Sequence, residues 1–155
     1  MYEKFGQFID GKWQASSNKE TYEVINPANE EVIGLASKAT PEDVDRALKS
    51  AEKGLEVWKK TSPWKRSSVI RKIADLIRAK QDVLAKWITL EVGKPFLEGK
   101  GEVGATADIF EWNSEETKRI YGQTVESRFE DTRIHVYYQP IGVVAAMSPW
   151  NFPLV

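Results

Sequence analysis

The chain has 155 residues, 41% of them hydrophobic and 29% charged, with 22 basic against 23 acidic side chains and a net charge of −1. That length predicts one domain or one piece of a larger one, and the apolar content suffices for a core, which excludes wholesale disorder. Near-neutral charge removes the electrostatic case for a nucleic-acid partner. With no cysteine and with His135 as the single histidine, disulfides, thiolate or His-x-x-x-His metal sites and a cysteine nucleophile are excluded, so no metal is expected.

The N-terminus, Met1-Tyr2-Glu3-Lys4-Phe5-Gly6, lacks the basic-then-apolar pattern of a signal peptide. The longest apolar run, Ile141 to Met147, has seven residues, far fewer than the about 20 of a membrane span. The expectation is a soluble cytoplasmic protein with no membrane partner. Phe8-Ile9 and Lys12-Trp13 flank Asp10-Gly11, a dipeptide that supplies the positive φ angles of a type I′ hairpin turn. Two short extended pieces follow, Tyr22–Ile25 and Val32–Ala36, separated by the turn-forming Asn26-Pro27-Ala28-Asn29.

Helices then take over. Thr40-Pro41-Glu42-Asp43 predicts a capping box with proline at the first helical position. Val44, Leu48, Ala51, Leu55 and Trp58 recur at helical spacing and form one stripe. Ser62-Pro63 opens a second helical segment that runs to about Val92, with Val69, Ile73, Leu76, Ile77, Leu84, Trp87 and Ile88 as its buried face. Gly93-Lys94-Pro95 ends it. A third helix, about Leu97 to Tyr121, carries Ile109, Trp112 and Ile120. Beyond Gly122 the pattern turns extended: Thr124–Arg128 and Arg133–Gln139 predict two strands around Phe129-Glu130-Asp131-Thr132. Gly142 to Met147 has the continuous apolar composition of a parallel strand covered on both faces. The order fits the start of an α/β protein better than a finished one.

Gly99-Lys100-Gly101-Glu102-Val103-Gly104 spells G-x-G-x-x-G, but a dinucleotide site needs those glycines between a strand and a helix. No hydrophobic strand precedes them, and Glu98 and Glu102 are the wrong charge for a phosphate, so glycines at a close helix contact are the better reading. His135 lies in an alternating strand without a nucleophile or carboxylate partner nearby, and reads as a solvated strand residue. Lys94 could bind an anion, although a cation complementing a helix C-terminus is the simpler account.

Pro149-Trp150-Asn151-Phe152-Pro153 differs in kind. It follows the carboxyl end of the predicted buried strand, where open α/β sheets bind ligands. Two prolines restrict the backbone around a neutral amide flanked by large aromatics, which suits a preorganised hydrogen-bond donor. A proline-rich turn carrying core aromatics accounts for the same residues equally well.

Five segments together resemble the N-terminal part of the NAD(P)-dependent aldehyde dehydrogenase superfamily. They are Ile25-Asn26-Pro27-Ala28, Trp58 with Ser62 and Arg66, Leu90-Glu91-Val92-Gly93-Lys94-Pro95, Gln139-Pro140-Ile141-Gly142-Val143 and Pro149-Trp150-Asn151-Phe152-Pro153. The stretch Glu111 to Gly122 looks most like the succinate-semialdehyde dehydrogenase branch. The resemblance implies an incomplete α/β fold with residues 1–122 as the N-terminal part of a cofactor-binding domain. It further implies 123–140 as an oligomerisation-type hairpin and 141–155 as the start of a Rossmann-like sheet with the active-site loop. By the same resemblance Asn151 donates its side-chain amide to the oxyanion formed when a cysteine attacks an aldehyde. Ser148, Pro149 and Trp150 lie along the nicotinamide side of NAD or NADP, and Phe152 borders the substrate tunnel. A homo-oligomer, dimer or tetramer, is implied for the complete enzyme.

The departures carry equal weight. The family's catalytic cysteine, general-base glutamate and adenosine contacts match nothing in this sequence, and Val92 stands where threonine is common. The expectation is an N-terminal fragment of an aldehyde dehydrogenase that is inert and binds no cofactor alone. The alternatives are a noncatalytic module that pairs with intact subunits through its hairpin, and a free-standing dinucleotide binder resting only on the glycine run. An unpaired Gly142–Met147 strand predicts low solubility or self-association.

Overall fold

The structure, a computed structural model, describes residues 6–155. The reading of Met1–Phe5 as no signal peptide lies outside the described residues. The described chain has four helices and three two-stranded antiparallel sheets; α2, α3 and α4 pack together, and α1 lies against the first hairpin.

Strands β1 (Gln7–Ile9) and β2 (Lys12–Gln14) pair around Asp10 and Gly11, whose φ angles of 54° and 75° are those of the expected type I′ turn. Phe8 and Trp13 face one another in the register with ring centroids 5.1 Å apart. Strands β3 (Thr21–Ile25) and β4 (Val32–Ser37) form the second hairpin. In its turn the Asn26 side-chain oxygen accepts from Ala28 N at 3.0 Å, as asparagine does in turns.

Helix α1 (Pro41–Trp58) starts at the capping box. Thr40 Oγ1 accepts from Asp43 N at 3.3 Å, and the Asp43 carboxylate accepts from Thr40 N at 3.0 Å. That carboxylate is buried and also accepts from Ser17 N at 3.1 Å and Gln7 Nε2 at 3.3 Å. One acid therefore both starts the helix and ties the first hairpin to it. Ser62 caps helix α2 (Pro63–Ala79), accepting from Lys65 N at 3.4 Å.

The long second segment is broken where one continuous helix was expected. Lys80, at φ −108° and ψ 16°, divides α2 from α3 (Gln81–Val92). Its amide is shared between the carbonyls of Leu76 and Ile77, and Gln81 Nε2 then donates to Lys100 O at 3.1 Å. The break lets α3 as well as α2 pack against α4 (Phe96–Glu116), which ends in a single 3-10 turn, Thr117–Arg119. The core sits there: Ala85 and Ile88 of α3 against Val103 of α4, joined by Ile77, Leu84, Val92 and Leu154.

Of the buried face expected on the second helical segment, Ile88 is buried and Ile77, Leu84 and Trp87 are partly buried, while Val69, Ile73 and Leu76 stay exposed. On α4 the inner face is Gly99, Glu102, Val103, Thr106, Ala107 and Ser114, whereas Ile109 and Trp112 are exposed, as is Ile120 just past the 3-10 turn. Small side chains face inward because the helices approach closely: a Cβ built on Gly99 would lie 3.1 Å from Ala85 O. Val44, Leu48, Ala51 and Trp58 form the expected stripe on α1, and Val69, Ile73 and Leu76 one on α2, but the described elements leave them exposed in part.

The final hairpin is β5 (Gln123–Glu126) with β6 (Arg133–Val136), all eight residues exposed. The expected strand at Gly142–Met147 does not form. A strand exists only by exchanging backbone hydrogen bonds with a neighbour, and no described segment pairs with this one. Ile141 and Met147, which bound the run, are each 94% exposed.

Candidate active-site loop

The segment that carries the candidate donor is held by the junction of α3 and α4. Gly93 closes α3 in the left-handed region at φ 74°, its amide bonded to Thr89 O at 3.0 Å. Pro95 then starts α4 at once. Between them Lys94 is directed across the first turns of α4, where its Nζ donates to Glu102 Oε2 at 2.5 Å. Both side chains are withdrawn from water, Lys94 at 14% exposure and Glu102 at 1%.

The remaining bonding capacity of this pair is spent on the loop. Lys94 Nζ also donates to the backbone carbonyl of Asn151 at 2.8 Å and lies 3.9 Å from the centre of the Phe152 ring. Glu102 Oε1 accepts from Leu154 N at 3.0 Å. Phe152 N donates to Pro149 O at 3.2 Å, closing a turn around Trp150 and Asn151, and Leu154 packs on the Ala85–Ile88–Val103 core. The loop backbone is thus fixed on both sides of Phe152-Pro153. Ser148, Pro149, Trp150, Asn151 and Phe152 are all exposed, and among the described residues nothing bonds the Asn151 side-chain amide. A neutral N–H donor held on a braced backbone is what stabilising a developing oxyanion requires.

Three of the five sequence segments converge here. Pro27 of the β3–β4 turn packs on Gly93, since a Cβ at that glycine would lie 3.0 Å from Pro27 Cγ. Gly93–Pro95 in turn carries the lysine that holds Asn151. A groove of about 520 Å³ lined by Trp13, Tyr22, Leu84, Trp87, Ile88 and Leu154 adjoins the loop's far end but includes none of Ser148 to Phe152. It is largely apolar and lies apart from the candidate donor.

Other candidates settle differently. Lys94 has a carboxylate and a carbonyl as partners, so the helix-dipole account is incomplete. The G-x-G-x-x-G run lies inside α4 with no strand before it, and Gly99 alone makes the close helix contact; beside Gly101 a Cβ would meet open space. His135 is exposed on β6, its Nδ1 3.2 Å from Thr124 Oγ1 on the paired strand. Glu102 and Leu154 were not foreseen as parts of the site. The one signal was an acid at position 102, on the helical face shared by Gly99, Val103 and Thr106.

Among the described residues no group of acids and histidines could hold a metal, and no helix is long and apolar enough to cross a membrane.

The sequence profile of the aldehyde dehydrogenase family matches residues 13–155. Glutarate-semialdehyde dehydrogenase of Pseudomonas aeruginosa is 43% identical over 146 residues, which cover 94% of this chain and 30% of that protein. The NADP(+) succinate-semialdehyde dehydrogenase of Escherichia coli is 41% identical over 145 residues, with the same coverage of 94% and 30%. The crystal structure of succinate-semialdehyde dehydrogenase from Burkholderia pseudomallei superposes with a TM-score of 0.89 at 39% identity, over 94% of this chain and 30% of that one. The chain belongs to the aldehyde dehydrogenase family. It spans about 30% of the length of these semialdehyde dehydrogenases and corresponds to their N-terminal portion.

Proposed function

We propose that this chain is the N-terminal portion of an NAD(P)-dependent semialdehyde dehydrogenase, which oxidises an aldehyde such as succinate semialdehyde to the carboxylic acid. Asn151 is the oxyanion donor: its side-chain N–H stabilises the negative oxygen that develops when a thiol adds to the aldehyde carbon. The observation that carries this reading is the braced loop, whose backbone is bonded at Asn151 O and Leu154 N while the Asn151 amide stays exposed.

The residues present suit the nicotinamide side of a cofactor. Ser148 offers a hydroxyl, and Pro149 and Trp150 offer exposed apolar faces to a flat ring. When bound, NAD(P)⁺ accepts the hydride released from the former aldehyde carbon. Phe152 borders the substrate path, with its ring held over Lys94. The 123–140 hairpin belongs to subunit contact in a homo-oligomer, dimer or tetramer, and residues 1–122 and 141–155 are the first parts of the cofactor domain and its sheet. A cytoplasmic location belongs to the same proposal.

This 155-residue chain contains no cysteine, and a thioester route needs a thiol nucleophile. The chain alone therefore turns over no aldehyde; since the family's adenosine contacts match nothing in it, it also shows no saturable NAD⁺ binding by titration calorimetry. The test of the reading is the full-length product of the reading frame that carries these residues. It reduces NAD⁺ or NADP⁺ with succinate or glutarate semialdehyde, and Asn151→Ala lowers kcat by about 10²–10³, the loss typical of one oxyanion donor. Absence of turnover with either semialdehyde, or an Asn151→Ala variant as fast as the parent, overturns it.

A further inference from the structure

Burying an ion pair is a poor way to gain stability, because desolvating both charges offsets their attraction. Lys94 and Glu102 are nonetheless buried at the α3–α4 junction. What sets them apart is where their other bonds go: Lys94 Nζ to Asn151 O at 2.8 Å, and Glu102 Oε1 from Leu154 N at 3.0 Å. Both are backbone groups of the loop, not of the helices that carry the pair.

We propose that Lys94 and Glu102 are positioning residues that aim the Asn151 side-chain amide by clamping the backbone on its C-terminal side, a role that rests on Asn151 being the oxyanion donor. The physical link is short. The direction of the Asn151 side chain is set by its own backbone angles. Lys94 fixes the plane of the peptide that leaves Asn151, and the turn from Phe152 N to Pro149 O fixes the chain before it. Pro153 confines Phe152 to extended angles, so the Leu154–Glu102 bond anchors the far end through a stiff dipeptide. Neither side chain touches the reacting atoms. They act through Asn151.

Two apolar residues would fill the same volume and could even pack better, but could not grip a carbonyl and an amide at once. That separates a clamp from an ordinary helix–helix contact and supplies the test. In the full-length product, Lys94→Met lowers kcat by about 10–100-fold, the scale of an ångström's misplacement of a reacting group, while KM for the semialdehyde moves less than about threefold. Lys94→Arg, which keeps donors for Asn151 O, recovers most of the loss. The charge-swapped double variant, Lys94→Glu with Glu102→Lys, stays slow because a glutamate cannot donate to Asn151 O and a lysine cannot accept from Leu154 N. In an Asn151→Ala background, Lys94→Met costs less than about threefold more, since the residue it positions is gone.

Restoration by the charge swap, or a Lys94→Met loss that multiplies in full with Asn151→Ala, overturns the proposal and leaves the pair as a helix tie. Glu102→Gln, which retains an acceptor for Leu154 N, guards against variants that fail to fold. Hydrogen exchange reads the clamp without any chemistry: Lys94→Met speeds exchange across residues 150–154 and leaves α2 protected, and unchanged exchange there overturns it. If the parent protein oxidises no aldehyde, the functional reading fails while this exchange measurement still decides whether the clamp exists.

Discussion

Asp43 joins five bonds in one carboxylate. It accepts from Thr40 N and Thr40 Oγ1, from Ser17 N, from Gln7 Nε2 and, at 2.5 Å, from an Arg46 guanidinium nitrogen. The hydrogen bond from Thr40 N is the largest cause holding this carboxyl well below the usual aspartate range; Arg46, Ser17 and Gln7 act in the same direction. The unfolded chain has no such partners, so its Asp43 titrates near the ordinary value of about 4. A depressed folded pKa contributes stability in full above the unfolded value, and the contribution is lost as pH falls below it. Thermal midpoints measured from pH 7 to pH 3 therefore stay level down to about pH 5 and then drop. Asp43→Asn lowers the midpoint at pH 7 and flattens the acid slope. An unchanged slope in that variant would assign the acid loss to other groups. The capping role of Asp43 was legible in Thr40-Pro41-Glu42-Asp43, because a cap is local. Its grip on Ser17 and Gln7 was not, because those contacts cross more than 20 positions and exist only once the hairpin docks. Glu102 escaped notice for the same reason: in one dimension it is a helical acid, and only the α3–α4 contact makes it a buried one.

Elements with local causes match their sequence signals. The Asp10-Gly11 hairpin, the Thr40 and Ser62 caps and the Gly93 stop all depend on residues within one turn, and all form. The break at Lys80 has no such mark: no glycine or proline stands there, and the apolar period continues from Ile77 to Leu84. The inner face of α4 carries no apolar period either. Periodicity counts large apolar residues, whereas close helix packing selects small ones, so Ala107 and Thr106 are inside and Trp112 is outside. Gly93 is where element geometry and site meet. Its φ of 74° places any L side chain in the left-handed region, and a Cβ would press on Pro27 at 3.0 Å. Gly93→Ala costs about 1–2 kcal/mol from backbone strain, which lowers the thermal midpoint by about 2–8 °C in a chain of this size. Because Lys94 follows directly, the variant also shifts the clamp, and exchange of residues 150–154 rises more than that of α2. Equal protection in both would uncouple the helix stop from the loop.

At the scale of the whole molecule many large apolar side chains are exposed beside a small buried core. The α1 stripe, the outer face of α4, the β5–β6 hairpin and the run from Ile141 to Met147 are exposed together. Patches of that extent mark interaction surfaces or aggregation hazards, and the run from Ile141 to Met147, which pairs with no strand among the described residues, adds an open backbone to its apolar side chains. The parallel strand expected at Gly142–Met147 was read from composition alone, and composition can specify that a strand wants burial without supplying the neighbours that bury it. The 155-residue chain in isolation is accordingly expected to self-associate, eluting well above its 17.6 kDa monomer mass and binding a hydrophobic dye. Val144→Lys with Met147→Lys charges the extended run and leaves α1 to α4 untouched. If that run drives association, the double variant shifts elution toward the monomer with its helical signal intact. If association persists undiminished, the helix stripes are responsible, and a monodisperse parent chain with a single cooperative unfolding transition would show that neither surface is sticky enough to matter.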